Sequence, residues 1–203
     1  LLPYLIHVFG GSGNGKTVLL MLAASVWADP SLGEYVTTFN GTRYAQETRA
    51  GFLNTLPMCL DELQIQTSQG VKDFDDIIYQ LCEGVSKTQG KASGGLRKQT
   101  RWRNVILSNG EHTIIKPLSG GGARNRVVEI EAPDKIYPDL VGLCDKITHN
   151  YGHAGKEFVE WLMEPGNMER VRIMQRDYYN RLTQHGVTEK QAGSASAILT
   201  ADA

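Results

Sequence analysis

The stretch Gly10-Gly11-Ser12-Gly13-Asn14-Gly15-Lys16-Thr17 satisfies G-x-x-x-x-G-K-[ST] at every fixed position, and it constrains what can be built around it. Ahead of it, Tyr4-Leu5-Ile6-His7-Val8-Phe9 reads as a short buried strand, and behind it Val18-Leu19-Leu20-Met21-Leu22-Ala23-Ala24 favours helix. That context gives the pattern a mechanism. Glycines let consecutive backbone N–H groups curl around phosphate oxygens, and the following helix points its positive dipole end at them. Lys16 is then expected at the β- and γ-phosphates and the Thr17 hydroxyl on Mg²⁺, so a nucleoside triphosphate with Mg²⁺ is the first ligand expected. The bland alternative, a glycine-rich turn with a chance lysine, does not account for the flanking strand and helix.

At 203 residues the chain is long enough to bury one α/β core with a helical appendage. Its formal net charge of −1 offers no overall attraction to nucleic acid, so any such attraction must come from a local patch. Cys59, Cys82 and Cys144 fall in expected strands or helices rather than at framework spacings, which points to a reducing compartment. Apolar runs are too short to span a bilayer and no signal or lipidation motif is present, so a cytoplasmic location without a membrane partner is expected. The chain opens without Met almost directly in a core strand and ends in a small-residue, apolar run. It therefore reads as a fragment of a larger protein.

After the first helix, Asp29-Pro30 and Gly33 mark a loop and Tyr35-Val36-Thr37-Thr38-Phe39 suits a second strand. Asn40-Gly41-Thr42 leads into a helix through about Phe52. Thr55 to Leu60 is a third strand that ends on Asp61-Glu62, and Asp73 to Val85 has helical spacing with acids in its first turn. Lys87 to Arg103 carries Lys87, Lys91, Arg97, Lys98, Arg101 and Arg103 without an acid, and Gly90, Gly94 and Gly95 would permit a hairpin. Asn104 to Asn109 reads as a fourth strand and Arg124 to Ile130 as a fifth, preceded by Gly120-Gly121-Gly122. Beyond Pro138 the pattern is helical over about 138–149, 154–164 and 167–184. The expected fold is a three-layer α/β P-loop domain with a mainly parallel five-stranded sheet over residues 1–135, followed by a helical part over 136–203.

Asp61-Glu62, at the end of an apolar strand downstream of the phosphate loop, has the form of a Walker B pair. The aspartate would help hold Mg²⁺ and the glutamate would orient and polarise the attacking water. A glutamate directly after the aspartate favours an additional-strand ATPase over a switch GTPase, and the base-reading motif N-K-x-D is absent. Asn109 ends the next strand, where its amide could hydrogen-bond the γ-phosphate or the water; the competing reading of Asn109-Gly110 is a plain turn. Arg124 and Arg126 flank the start of the last strand. Either could reach a neighbouring subunit's γ-phosphate, Arg126 being the better placed, or simply be a solvated arginine. Lys91, Arg97, Lys98 and Arg101 suit phosphate-backbone contacts to single-stranded DNA without sequence readout, and Trp102 could stack on a base or belong to the core. His149 and His153 have a spacing seen in metal sites, but without a second ligand pair a packing role is expected.

The blocks Gly10 to Thr17, Leu22 to Ala28, Leu60-Asp61-Glu62-Leu63-Gln64, Ile78 to Lys87, Trp102 to Glu111 and Ala123 to Ile130, taken in order, resemble the domain of unknown function family 927 over about residues 5–165. Members of that family look like AAA+ ATPases of the superfamily 3 and MCM-like helicase type, found in phages, plasmids and mobile cassette elements. The resemblance implies a hexameric or heptameric ring with ATP between subunits. It also implies a hairpin ahead of sensor 1, around Lys91 to Lys98, reaching into a DNA-holding channel. Lys16 and Thr17, Asp61 and Glu62, Asn109, and Arg126 would take the Walker A, Walker B, sensor 1 and arginine-finger positions. No residue of the C-terminal helices matches a sensor 2 arginine. The expected function is an ATP-driven DNA motor, a replicative helicase of a phage or mobile element. Two other readings stay open: an ATPase without unwinding activity, for packaging or remodelling, and a nucleotide-dependent assembly scaffold.

Overall fold

The computed structural model describes residues 3–62, 74–117 and 119–203. Its strands β1 (Tyr4–Phe9), β2 (Val36–Thr38), β3 (Met58–Asp61), β4 (Val105–Gly110) and β5 (Val127–Glu131) form one sheet in the order β2-β3-β4-β1-β5. Every pairing is parallel. A parallel sheet is covered on both faces, which is why its central strands are continuous apolar runs, with Leu5, Cys59, Leu60 and Ile106 all buried. Parallel strands also send all their C-terminal ends to one edge, so the segments that leave β1, β3 and β4 meet there.

The crossovers are α1 (Lys16–Ser25), α2 (Arg43–Leu53), α3 (Phe74–Cys82) and the single turn α4 (Gly121–Arg124). Thr42 caps α2 by accepting from the Ala45 N–H at 3.2 Å, and the helix stops at Asn54, whose φ of 55° an asparagine tolerates better than most residues. Asp75 and Asp76 lie in the first turn of α3, where the dipole favours them; the expected start at Asp73, like Leu63 and Gln64 after the acid pair, lies outside the described residues. The core gathers Leu20, Phe39, Met58, Ile77, Ile78, Leu81, Trp102 and Ile106 between helices and sheet.

Two expectations change at the last strand and the C-terminus. Arg124 is helical and Asn125 lies in the right-handed region, so β5 begins at Val127 rather than at Arg124. The buried Ala123 pins this turn, and Gly122 lies so close to the Tyr79 hydroxyl that a Cβ would overlap it. After α5 (Leu140–His149), α6 (His153–Met163) and α7 (Asn167–Gln184), the small-residue tail forms a helix of its own, α8 (Glu189–Asp202), packed on α7. Ala192, Ser194 and Ser196 are its buried positions, small enough for close approach. Both serine hydroxyls bond back to their own helix, to the carbonyls of Lys190 and Gly193. No described helix is long and apolar enough to cross a membrane.

Between α3 and β4 the chain doubles back on itself. Val85 faces Arg101 and Gly90 faces Leu96 in antiparallel bridges, with Ser86 N–H to Thr100 carbonyl at 2.9 Å and Arg97 N–H to Gln89 carbonyl at 2.8 Å. Gly94 and Gly95 turn the tip at φ 85° and 81°. The basic segment is thus a two-armed loop, and Lys91, Arg97, Lys98 and Arg101 are all exposed on it.

Candidate nucleotide site

Residues 10–17 join the end of β1 to the start of α1, and the segment after β5 braces them. Ala132 N–H donates to the Phe9 carbonyl at 2.7 Å, Asn14 Nδ2 to the Ala132 carbonyl at 2.7 Å, and Ile136 N–H to the Asn14 carbonyl at 2.9 Å. Gly10, at φ 151°, lies so close to Ala132 that a Cβ would overlap its carbonyl oxygen, and Gly15, at φ 91°, lies against the Leu140 side chain. Leu140 can rotate away; the backbone of Ala132, bonded to Phe9 and Asn14, cannot. Gly10→Ala is accordingly expected to destabilise the fold by about 1–3 kcal/mol, read as a shift of the urea midpoint without a change in slope. A midpoint equal to wild type would mean that the loop is not held against residue 132. Lys16 Nζ, on the first turn of α1, donates to the carbonyls of Gly10 at 2.8 Å and Gly11 at 2.7 Å.

Three side chains from three elements converge beside this loop. Thr17 Oγ1 donates to Asp61 Oδ1 at 3.0 Å, and Asn109 Nδ2 donates to the same carboxylate oxygen at 2.6 Å and to Thr17 Oγ1 at 3.3 Å. The other end of the Asn109 amide accepts the Glu62 N–H at 2.9 Å. One amide therefore ties the end of β4 to both acids that end β3. Glu62 has φ 55°, a left-handed backbone that a glutamate seldom adopts and that costs free energy unless its surroundings hold it. Gly13, Gly15, Lys16, Thr17, Glu62 and Asn109 line one cleft of about 480 Å³, together with Glu111 and Leu140. The turn reading of Asn109-Gly110 does not hold, because both residues belong to β4.

His7, which sequence reasoning passed over, is buried in the middle of β1. Its Nε2 lies 3.1 Å from the His112 carbonyl and its Nδ1 2.9 Å from Ser108 Oγ. A carbonyl can only accept, so Nε2 carries the proton and Nδ1 accepts from the Ser108 hydroxyl. Across β5, Glu129 accepts from Thr113 Oγ1 at 2.7 Å and from the backbone N–H of Ile114 at 2.7 Å and Ile115 at 3.3 Å. Together the two side chains hold the segment that follows Asn109. A polar residue inside an otherwise apolar strand is the signal that could have marked His7. Burial pushes its imidazole below the usual 6.5, ahead of the opposing pull of the His112 bond and Glu129. In the window just below 6.5 the unfolded chain takes up a proton that the folded chain refuses, so stability rises with pH there. The contribution is complete above 6.5 and is lost as pH falls through the folded-state value. His7→Asn should therefore flatten the fall in melting temperature between about pH 7.5 and about pH 5.5; an unchanged slope would contradict this.

The remaining candidates lie elsewhere. Arg126 directly precedes β5, on the sheet edge opposite the phosphate loop, roughly 15–20 Å away across the length of a strand. Its Nη1 donates to the Gly122 carbonyl at 2.7 Å and its guanidinium sits 5.1 Å over the Tyr79 ring, while its buried Nε has no acceptor among the described residues. Arg124, also on that edge, is exposed and bonds the carbonyls of Lys116, Pro117 and Ser119. Trp102 cannot stack on a base: it is buried, and its Nε1–H donates to the Leu81 carbonyl at 2.8 Å. His149 pairs with Asp145 within its own helix, and among the described residues no His, Cys, Asp or Glu cluster could hold a metal alone. Cys59, Cys82 and Cys144 are free thiols, and burial pushes Cys59 and Cys82 up to about 12.

Comparison with known proteins adds two relationships. Residues 3–101 match the domain of unknown function DUF927, a narrower span than the blocks read from sequence, stopping before β4. Among solved structures, SCCmec type IV Cch, described as an active helicase, superposes with a TM-score of 0.73 at 21% sequence identity. The match covers 98% of this chain and 37% of that one, so the chain spans just over a third of the helicase's length and shares its fold there. No curated protein matches.

Proposed function

We propose that the chain is the core of an ATP-dependent DNA motor, a ring-forming replicative helicase of a phage or mobile element that hydrolyses ATP at subunit interfaces. What carries the reading is the convergence of Thr17, Asp61, Asn109 and the strained Glu62 beside the glycine loop. Backbone N–H groups of residues 10–17 would cradle the phosphates, and Lys16 Nζ would exchange its two loop carbonyls for phosphate oxygens. The Thr17 hydroxyl and the Asp61 carboxylate are hard oxygen donors 3.0 Å apart, the kind of set that suits Mg²⁺ shared with phosphate. Mg²⁺, when bound, would neutralise charge on the phosphate oxygens. Glu62 would take the proton of the attacking water, and Asn109 would keep that glutamate in register with Asp61. The nearest alternative is an ATPase that moves along DNA or remodels it without unwinding, and behind it a scaffold that ATP merely assembles. A glutamate lining the cleft beside the glycine loop, where a general base would be needed, disfavours the scaffold.

The division into an ATPase core over 1–135 and a helical part over 136–203, the single-stranded DNA partner, the hexameric or heptameric ring and a cytoplasmic location belong to the same reading. The shared fold with a helicase structure supports it, as do Lys91, Arg97, Lys98 and Arg101 on the exposed two-armed loop. Single-stranded DNA is expected to stimulate Mg²⁺-dependent ATP hydrolysis. Changing Lys91, Arg97 and Lys98 together to Ala should weaken DNA binding and lower the slope of log K against log salt by about 2. An unchanged slope would remove the loop from the DNA interface.

A further inference from the structure

The two-armed loop does not stand alone; α2 is fastened along its side. Glu47, 2% exposed, accepts from the Lys87 N–H at 3.1 Å while bound to Arg43 Nε at 2.7 Å. One turn on, Gly51 lies so close to Thr100 that a Cβ would overlap its methyl group, and Arg103 N–H donates to the Asn54 carbonyl at 2.8 Å. Beside this seam, on one i±4 row of the helix, stand Tyr44, Thr48 and Phe52. Tyr44 is 55% and Phe52 87% exposed. At 1.5 Å rise per residue their rings are about 12 Å apart along the axis, a span of a few nucleotides. Tyr44 and Thr48 share a small cleft of about 140 Å³ with Lys87, Gln89, Arg97 and Lys98. The acid at the seam, Glu47, is buried and held by Arg43, so the surface next to the rings is cationic.

We infer that Tyr44 and Phe52 form a platform on which unpaired bases of single-stranded nucleic acid stack while its phosphates lie on Arg97 and Lys98. A positively charged track beside exposed aromatic faces is what sequence-tolerant binding of single strands requires. Charge decides the occupant. A duplex hides its base faces, whereas a single strand brings phosphates to Arg97 and Lys98 and free base faces to the exposed rings. The inference rests on the reading of the loop as a nucleic-acid contact and adds base contacts to it. It also gives α2 the part that Trp102, locked in the core, cannot play.

The test compares anisotropy titrations of a labelled oligothymidylate with those of an abasic oligomer of equal phosphate number. Tyr44→Ala and Phe52→Ala should each weaken oligothymidylate binding ~5- to 100-fold with the salt slope unchanged, because neither residue carries charge. Tyr44→Phe should bind like wild type. The abasic oligomer should bind wild type and both alanine variants equally. Alanine variants that bind oligothymidylate as wild type does would overturn the platform while leaving the cationic loop in place. Wild type that binds neither oligomer at low salt would overturn the nucleic-acid reading of the loop, and the platform with it. Unchanged DNA affinity with a smaller sedimenting species would mean that the row joins copies of the chain, which also overturns the inference.

Discussion

Glu62→Gln is expected to bind ATP within about twofold of wild type and to turn it over about 10²- to 10⁴-fold more slowly, the range a positioned general base contributes. The substitution keeps the side chain's size and leaves its backbone N–H on the Asn109 amide, so the left-handed backbone at φ 55° and the Asp61 cluster stay in place. Only the ability to take a proton from water is lost. Binding of a fluorescent ATP analogue and steady-state phosphate release separate the two effects. Hydrolysis at the wild-type rate would remove Glu62 from the chemistry and leave a nucleotide-dependent scaffold as the better reading. Loss of both binding and turnover would mean that Glu62 matters for building the site instead.

The second large effect concerns Arg126. Its place at the start of β5, on the edge opposite the phosphate loop, prevents it from serving its own subunit's site. On the proposed reading it acts on a nucleotide held by another copy, where an arginine in trans contributes on the order of 10³-fold or more. Arg126→Ala alone and Lys16→Ala alone should each abolish most turnover. Mixing the two should restore part of it, since some interfaces then pair an intact loop with an intact arginine. The control is Arg124→Ala, because Arg124 is committed to the carbonyls of residues 116, 117 and 119 and should affect the shape of that segment more than the reaction. A mixture no more active than its components would remove Arg126 from the reaction. Restoration by Arg124→Ala in place of Arg126→Ala would move the role to Arg124.

The parts of this fold that were legible in sequence are those where one local rule dominates. The glycine loop announces itself because its backbone needs glycine at residues 10, 13 and 15, and the strands of a parallel sheet announce themselves as largely apolar runs. The meeting of Asp61 and Asn109 at one sheet edge was legible for the same reason: each lies at the end of such a run, and parallel strands bring those ends together. What sequence could not give was partnership across the sheet. Nothing local says that one Asn109 amide holds Thr17, Asp61 and Glu62 at once, or that His7 and Glu129 clamp the segment behind it. Residues Arg124 to Arg126 were misread as strand because they precede β-branched Val127 and Val128, and burial of Ala123 overrode that propensity. Within the helical part expected over 136–203, α8 was not singled out because its small residues form no apolar stripe until a partner helix makes them an advantage. Trp102 reads either as a base contact or as core in sequence because a lone aromatic beside a cationic run carries no sign of which way it faces, and the structure takes it into the core.

The account's central claim is that ATP hydrolysis at this site drives the unwinding of DNA. Displacement of a labelled strand from a partial duplex bearing a single-stranded arm tests it most directly, with ATP, with a non-hydrolysable analogue, and with Glu62→Gln. The account predicts release of the strand by the wild-type protein with ATP alone, and none in the other two reactions. Vigorous ATP hydrolysis stimulated by the same substrate, with the strand still annealed, would contradict it.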